Sequence, residues 1–256
     1  MRVIRIIDTV LAALVAAVVI SLVAVQRGHI EESARTNGLG ALAGAAKAYN
    51  SKYGSLPPSI IENAERQHEH SWRALLFVDL WPSHAEIYGY RYNESWDSPF
   101  NSSLHHKGSP SGMYHCPSDP APENQTSYVA VVGSDTLFPE QASRKLEEIP
   151  GVTVHRMAQD NVNYSGAGLS NTILFAEMHK SGIHWAEPRD ISIDDALKGV
   201  NKTTPSISGD HSFTFGFRKG PMVVFADGHV EFLNPNIDPK VLRSLLEVKN
   251  PDKPKE

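Results

Sequence analysis

A long uncharged, apolar segment near the N-terminus constrains the architecture of this chain more than any other feature. Arg2 and Arg5 precede residues 9–25, which carry no charge and are followed by Gln26 and Arg27. These 17 residues, if helical, reach about 26 Å, close to the ~30 Å hydrocarbon core of a bilayer. We therefore predict that residues 9–25 contact the lipid bilayer as a single membrane-spanning anchor.

The basic residues before this segment set its orientation. Arg2 and Arg5 favour a cytoplasmic N-terminus by the positive-inside rule, which leaves the C-terminal domain outside the cytoplasm. A cleaved secretory signal peptide is the competing interpretation, because it also has a basic start and an apolar middle. Leu22-Val23-Ala24 only partly provides the small residues that such a cut requires, so we favour the uncleaved anchor.

Composition restricts the partners of the remaining chain. The formal net charge is −5 over 256 residues, and no basic stripe is present to neutralise phosphates, so we predict no nucleic-acid partner. Cys116 is the only cysteine, which excludes an internal disulfide and a multi-cysteine metal site. We expect Cys116 to be a small buried residue rather than a nucleophile.

An amphipathic pattern continues the N-terminal helix beyond the anchor. Apolar residues at three-four spacing form one stripe that can pack on a sheet, namely Leu39, Leu42, Ala46, Tyr49 and Tyr53. We predict one helix from about residue 4 to residue 53, with a kink near Gly28 and an end at Gly54. Its first half would lie in lipid and its second half in the folded domain.

Patterns in the second half of the chain predict an antiparallel sheet. Strand-like runs occupy residues 127–133, 171–177, 212–217, 222–226 and 229–233. Asp227-Gly228 joins the last two runs as a tight hairpin, because glycine readily adopts the positive φ of a primed turn. A long helix packed on an antiparallel sheet with long loops is an α+β fold.

Short helices and ordered loops complete the predicted domain. Helices are expected over residues 72–81, from a cap formed by Ser192 and Asp195 through Lys198, and from Asp238 to about residue 248. The remainder of residues 60–122 is predicted to be loop, and we expect the tryptophans to pin loops onto the sheet (Trp72, Trp81, Trp96 and Trp185). The chain thus divides into a cytoplasmic tip and transmembrane anchor (1–27), an extracytoplasmic α+β domain (28–248) and a charged, flexible tail (249–256).

Several short motifs in order resemble one bacterial family. They include Trp96-Asp97-Ser98-Pro99, Cys116-Pro117-Ser118-Asp119-Pro120, Thr172-Ile173-Leu174, Ser181-Gly182-Ile183-His184-Trp185 and Phe225-Ala226-Asp227-Gly228-His229-Val230. A further match lies at the end of the first helix, from Ala34 to Pro58, and the whole set spans residues 34–233. The chain resembles the bacterial prepilin-like proteins of domain-of-unknown-function family 1559, whose C-terminal part is called the prepilin-type processing-associated domain.

This resemblance implies a type IV pilin-like or pseudopilin-like fold in the inner (cytoplasmic) membrane. The partners it implies are related pseudopilin-like subunits or an envelope complex. The family usually begins with Gly-Phe-Thr-Leu-Ile-Glu, where a peptidase cuts after the glycine, whereas this chain has Ile4-Arg5-Ile6-Ile7-Asp8. We therefore expect the N-terminus to stay uncut and the protein to form a monomer or small complex rather than a filament.

The histidine content suggests a metal site without establishing one. Six residues in or near predicted strands could converge on an ion: Glu177, His179, His184, His211, Asp227 and His229. Zinc requires three or four such ligands, and the helical spacing His-Glu-x-x-His is absent from the sequence. We interpret His68-Glu69-His70 as a solvated helix face and assign no metal ligand and no cofactor.

A hydrolase is not indicated either. Ser165-Gly166-Ala167-Gly168 lacks the residue order of a nucleophile elbow, so we assign no catalytic residue. The function we expect is that of a membrane-anchored, pseudopilin-like envelope protein with a structural, assembly or recognition role and no catalysis. The alternative is a membrane-tethered, metal-dependent enzyme with a His-rich site on the sheet.

Overall fold

One helix, α1 (Arg2–Tyr53), forms the N-terminal fifth of the chain. The structure is a computed structural model that describes residues 2–63, 69–80, 89–104, 111–139, 144–149, 152–156, 168–203, 205–209 and 220–248. Helix α1 is continuous through Gly28 and ends as predicted, since Gly54 has φ +78° and its N–H donates to Asn50 O at 2.7 Å. A left-handed glycine directly after a helix is a common C-terminal cap.

Ten strands and four further α-helices follow among the described residues. The strands are β1 (Ile60–Asn63), β2 (Glu69–Ser71), β3 (Tyr128–Val129), β4 (Val131–Val132), β5 (Arg144–Ile149), β6 (Val152–Arg156), β7 (Ile173–Glu177), β8 (Ile191–Ser192), β9 (Met222–Phe225) and β10 (Val230–Phe232). The helices are α2 (Trp72–Leu80), α3 (Ser111–Tyr114), α4 (Ile193–Ala196) and α5 (Pro239–Leu246), with 3-10 turns at Asn101–Ser103 and Leu169–Asn171.

The central sheet has the order β10-β9-β7-β3 and is antiparallel throughout. Successive residues of a strand point to opposite faces, so Val224 belongs to one hydrophobic core while Val223 and Phe225 belong to another. Helices α1 and α2 contribute to the first core, and α4 and α5 contribute to the second. The sheet is therefore covered on both faces.

The predicted stripe on α1 is the part of that helix that packs on the sheet. Leu39, Leu42, Ala46 and Tyr49 are at most 1% exposed, and Tyr53 packs at the margin of the same core. Lys47, on the same helix, donates from Nζ to Asp227 O at 3.0 Å, which connects α1 to the β9–β10 turn. The predicted arrangement of helix on antiparallel sheet is confirmed.

The prediction of one sheet is wrong, because the described residues form three. A second antiparallel sheet has the order β2-β1-β6-β5, and β4 pairs with β8 in parallel. The single run predicted over 127–133 is divided at Ala130, whose N–H donates to Asp190 Oδ1 at 2.8 Å. A side chain from a distant loop thus takes the hydrogen bond that would otherwise continue the strand, and the chain passes from one sheet to the other.

Most local predictions in the C-terminal part are confirmed. Gly228 has φ +100° in the β9–β10 hairpin, and the Gly228 N–H donates to Phe225 O at 2.9 Å. Ser192 Oγ accepts from Asp195 N at 3.1 Å at the start of α4, although that helix ends at Ala196. Asp238 caps α5 by accepting from Lys240 N. The strand predicted over 212–217 and the tail 249–256 lie outside the described residues.

Trp72 and Trp185 are fully buried, but Trp72 lies in α2 rather than in a loop. Trp72 stacks on Phe175 with ring centroids 4.3 Å apart, and Trp185 lies in a loop and packs edge-on against Phe77. Trp96 is half-buried, and Trp81 lies outside the described residues.

Over the part of the chain that is described, we find no helix with the length and apolar character that crossing a membrane requires. The span predicted over residues 9–25 is not supported by this finding and stays a prediction.

Candidate functional site

Three side chains of the kind that bind metal ions meet inside the protein. Atoms of Cys116, Glu177 and His179 that can bind a metal ion (the thiol sulfur, a carboxylate oxygen and an imidazole nitrogen) all lie within 4.8 Å of one another. Cys116 and Glu177 are fully buried, and His179 is 7% exposed. We refer to these three residues as the Cys-Glu-His cluster.

Strand β7 places Glu177 and His179 on the same side. Residues two apart in an extended chain face the same way, and β7 ends at Glu177, two residues before His179. Glu177 Oε2 accepts from Met222 N at 2.7 Å, so the first residue of β9 fixes the carboxylate. The His179 N–H donates to Ser208 O at 3.1 Å, which holds the backbone of the next turn.

A tight turn after α3 places Cys116 opposite these two residues. The Cys116 N–H donates to Ser127 Oγ at 2.8 Å, and the Ser127 hydroxyl donates to Asp119 Oδ2 at 2.8 Å. The buried Asp119 carboxylate also accepts from Lys180 N at 3.1 Å. Asp119 therefore connects the turn that carries Cys116 to the turn that follows His179.

Among the described residues, the candidate metal ligands do not converge on one site. Glu177 and His179 come together, whereas Asp227 and His229 lie in the β9–β10 turn and pair with each other at 2.6 Å between Oδ1 and Nδ1. Partial burial opposes ionisation of Asp227, but hydrogen bonds from the His229 N–H and ring outweigh it and lower the pKa of that carboxyl. His184 lies against Trp96 with ring centroids 5.5 Å apart. His211 lies outside the described residues.

Sequence reasoning missed Cys116 as a member of the cluster. The single cysteine excluded multi-cysteine sites only, and it does not exclude a mixed site with one thiolate. The signal available was Cys116-Pro117 followed by Asp119, a turn whose acidic residue can organise nearby N–H groups. The residues that this turn contacts lie about 60 positions further along the chain, as the hydrogen bond from Lys180 N to Asp119 shows. The local sequence therefore does not predict them.

The interpretation of His68-Glu69-His70 as a solvated helix face is wrong where the structure describes it. Glu69–Ser71 is strand β2, and His70 is 1% exposed. His70 Nδ1 lies 2.8 Å from Tyr90 Oη, and Nε2 lies 3.1 Å from Tyr92 O. Burial raises the pKa of the Tyr90 hydroxyl, so that group stays protonated beside the ring. The Tyr90 hydroxyl and the Tyr92 carbonyl thus provide hydrogen-bond partners for both ring nitrogens of the buried His70.

A second candidate surface is the N-terminal half of α1. Large apolar side chains there are 46–68% exposed. They are Val10, Leu11, Leu14, Val15, Val18, Val19, Ile20, Leu22 and Val23. Soluble monomers rarely expose so continuous an apolar surface without an interaction to cover it.

Comparison with known proteins provides a family assignment. Neither the curated proteins nor the solved structures give a significant match to this chain. A family model described as "protein of unknown function (DUF1559)" matches residues 34–214. This range includes the packed residues of α1, all three residues of the Cys-Glu-His cluster, and strands β1 to β8. This match spans well over half of the chain, and the protein therefore belongs to the DUF1559 family.

Proposed function

We propose that this protein is a single-pass, pseudopilin-like membrane protein of the cell envelope with a structural, assembly or recognition role and no catalysis of its own. In this proposal, residues 9–25 lie in the inner membrane, the N-terminus is cytoplasmic, and the α+β domain lies outside the cytoplasm. The observation that carries it is the change along α1 from an exposed apolar half to a half packed on the sheet.

The two halves of α1 differ in what covers their apolar side chains. In the packed half, the stripe residues face the sheet and are at most 1% exposed (Leu39, Leu42, Ala46 and Tyr49), whereas Leu14 is 60% and Ile20 is 68% exposed. Residues 10–22 are exposed on every side of the helix rather than along one stripe. A helix that is apolar all round suits lipid or a helical bundle better than one flat protein surface. The proposal therefore places this half in the bilayer.

The anchored topology has a direct test. We would express the full chain in bacteria, extract the membranes at alkaline pH and follow the protein through the fractions. We expect it to remain with the lipid, and a C-terminal reporter that is active only outside the cytoplasm to be active. Recovery of the wild-type protein in the wash, or activity of a cytoplasm-only reporter at the C-terminus, would contradict the proposal.

A matched pair of variants tests which segment holds the protein in the membrane. Val15→Arg with Val19→Arg introduces two charges that each cost about 2.5–3.5 kcal/mol near the centre of a spanning helix, so membrane retention should be lost. Ala41→Arg with Ala48→Arg adds the same charges to exposed positions of the packed half and should leave retention unchanged. Equal retention of both variants would show that residues 9–25 are not the anchor.

A membrane-tethered, metal-dependent enzyme is the second candidate, and the Cys-Glu-His cluster is the observation that favours it. The structural role ranks first because Cys116 and Glu177 are fully buried and His179 nearly so, which leaves little access for a substrate. Hydrolysis of ester, phosphate or peptide test substrates by the zinc-loaded protein, lost in Glu177→Gln, would reverse this ranking.

A further inference from the structure

We propose that Cys116, Glu177 and His179 bind one Zn²⁺ ion, which fastens the turn after α3 to the end of β7. This site is independent of the anchoring proposed above, since all three residues lie in the folded domain. The inference rests on the convergence, inside the core, of three different donor groups from two distant parts of the chain.

The donor set selects the class of metal. A thiolate and an imidazole favour borderline or soft ions, whereas Mg²⁺ and Ca²⁺ prefer oxygen ligands alone. Zinc accepts sulfur, nitrogen and carboxylate oxygen in one tetrahedral site, with bonds of about 2.0–2.3 Å. A mixed set of Cys116, Glu177 and His179 therefore fits Zn²⁺ better than a hard cation.

The distances are compatible with that geometry. Tetrahedral bonds of about 2.0–2.3 Å place neighbouring donor atoms about 3.3–3.8 Å apart. The donor atoms of the cluster lie within 4.8 Å of one another, so a shift of the order of one ångström closes the site. Three protein ligands leave a fourth position for water or a further side chain.

The surroundings fix these donors in place before any ion binds. The Met222 N–H holds the Glu177 carboxylate, and the Ser127 hydroxyl accepts from the backbone of Cys116. Lys180 has φ +53°, a conformation that L-residues other than asparagine and aspartate rarely adopt, and its N–H is held by Asp119. Local backbone strain of this kind, next to His179, is frequent where a functional side chain must be held in one orientation.

Zinc would also offset the charge that the cluster brings into the interior. A carboxylate in a low-dielectric interior is costly unless a cation or several donors compensate it. Two bound anionic groups, the Glu177 carboxylate and a Cys116 thiolate, match the charge of one divalent cation. The ion would thereby link the Cys116 turn to the end of β7 across about 60 residues of chain, the separation already bridged by Asp119 and Lys180.

The sequence makes the decisive experiment possible without any mutation. Cys116 is the only cysteine, so a thiolate-to-cobalt charge-transfer band in the full chain can come from no other residue. We would strip the purified full-length protein with a chelator, titrate it with Co²⁺ and then displace the cobalt with Zn²⁺. We expect saturation at one equivalent, tetrahedral d–d bands, a near-ultraviolet charge-transfer band, and loss of all of them with zinc. Absence of the charge-transfer band at stoichiometric cobalt would overturn the proposal.

Variants test the other two ligands. His179→Asn and Glu177→Gln should each weaken zinc binding at least about tenfold, judged against the 10–100-fold losses seen when even supporting residues are changed. His229→Asn makes the same change at a half-buried histidine that also has a carboxylate neighbour, and it should leave affinity unchanged. Equal affinities of His179→Asn and the wild type would remove His179 from the site and overturn the three-ligand proposal.

Thermal denaturation of the wild type gives a readout that does not depend on the variants folding. A ligand that binds only the native state raises its stability in proportion to the logarithm of ligand excess. We expect zinc to raise the unfolding midpoint of the wild type by several degrees and that of Cys116→Ser much less. An unchanged wild-type midpoint at a large zinc excess would contradict the proposed fastening role.

Discussion

Arg73 and Asp190 form an ion pair in the interior, with Nη2 and Oδ1 2.5 Å apart and side chains 0% and 2% exposed. The arginine also donates from Nε and Nη2 to Tyr128 O, and the aspartate accepts from Trp72 Nε1 and from Ala130 N. One charged pair thus joins α2, the β3–β4 junction and the loop before β8. Charged hydrogen bonds of this kind hold their partners in a single geometry.

Removal of one partner should be strongly destabilising. Asp190→Asn leaves the Arg73 charge buried without its counter-charge, and breaking a buried pair in this way costs about 3–5 kcal/mol. Chemical denaturation measures the free energy of unfolding. As a control, Glu187→Gln removes the charge of the Glu187–Arg189 pair, whose arginine side chain is 53% exposed, and we expect a change of about 1 kcal/mol or less. Similar losses in the two variants would contradict the structural importance of the buried pair.

The packed half of α1 can be tested with two neighbouring substitutions. Leu42 is 1% exposed and faces the sheet, whereas Ala41 is exposed on the other side of the helix. Leu42→Asp buries an unpaired carboxylate and removes apolar contacts, so we expect a loss of several kcal/mol in unfolding free energy. Ala41→Asp should cost about 1 kcal/mol or less. An unaltered melting temperature in Leu42→Asp would show that α1 does not pack on the sheet in solution.

The β9–β10 turn depends on one glycine. Gly228 has φ +100°, and a β-branched residue in that region is strained, so Gly228→Val should destabilise the protein by about 1 kcal/mol or more. Gly44→Val is the matched control, because a Cβ atom at this position would meet no atom within 4 Å and valine is a slightly better helix residue than glycine. Gly228→Val should lower the thermal midpoint clearly more than Gly44→Val does, and an unchanged midpoint in Gly228→Val would contradict the turn geometry.

The cap of α4 should give a defined pH dependence. Hydrogen bonds from Lys198 and Ser192 hold the pKa of Asp195 below its ordinary value. A carboxyl with a lowered pKa in the folded state stabilises the protein above its unfolded pKa, about 3.9, and this contribution is lost as the pH falls through the folded pKa. Asp195→Asn should therefore lower the melting temperature at pH 7 and have little effect at pH 2.

The neighbouring residue provides the control for this measurement. Asp194 is exposed and lies in the same turn, so Asp194→Asn should change the melting temperature much less at pH 7. A constant difference between wild type and Asp195→Asn from pH 7 to pH 2 would show that ionisation of Asp195 does not contribute.

Local chemistry made part of the fold predictable. The α1 stripe, the Asp227-Gly228 turn and the caps at Ser192 and Asp238 are each set by neighbours within a few residues, and all are confirmed. Strands β5 and β6 were missed, although alternation from Val152 and the preceding Pro150-Gly151 pair are signals of a hairpin. β1 and β2 have only four and three residues, so neither strand is long enough to show an alternating pattern that separates it from a loop.

The candidate site was less predictable because long-range contacts create it. Glu177 and His179 were among the six candidate metal ligands, but their meeting with Cys116 requires the Asp119 turn to dock beside Lys180. The buried position of His70 likewise depends on Tyr90 and Tyr92, about 20 residues further along the chain. The local sequence pattern does not show which distant residue will contact a given buried side chain.

The contact between Lys47 and Asp227 joins residues 180 positions apart, and it has a consequence for the ribosome-bound chain. At about 5–20 residues per second, roughly 9–36 s pass between synthesis of the α1 stripe and synthesis of the strand that covers it. During that interval Leu39, Leu42 and Tyr49 have no β9 to pack against. The stripe of α1 therefore stays without its β9 contacts until the last hairpin is synthesised.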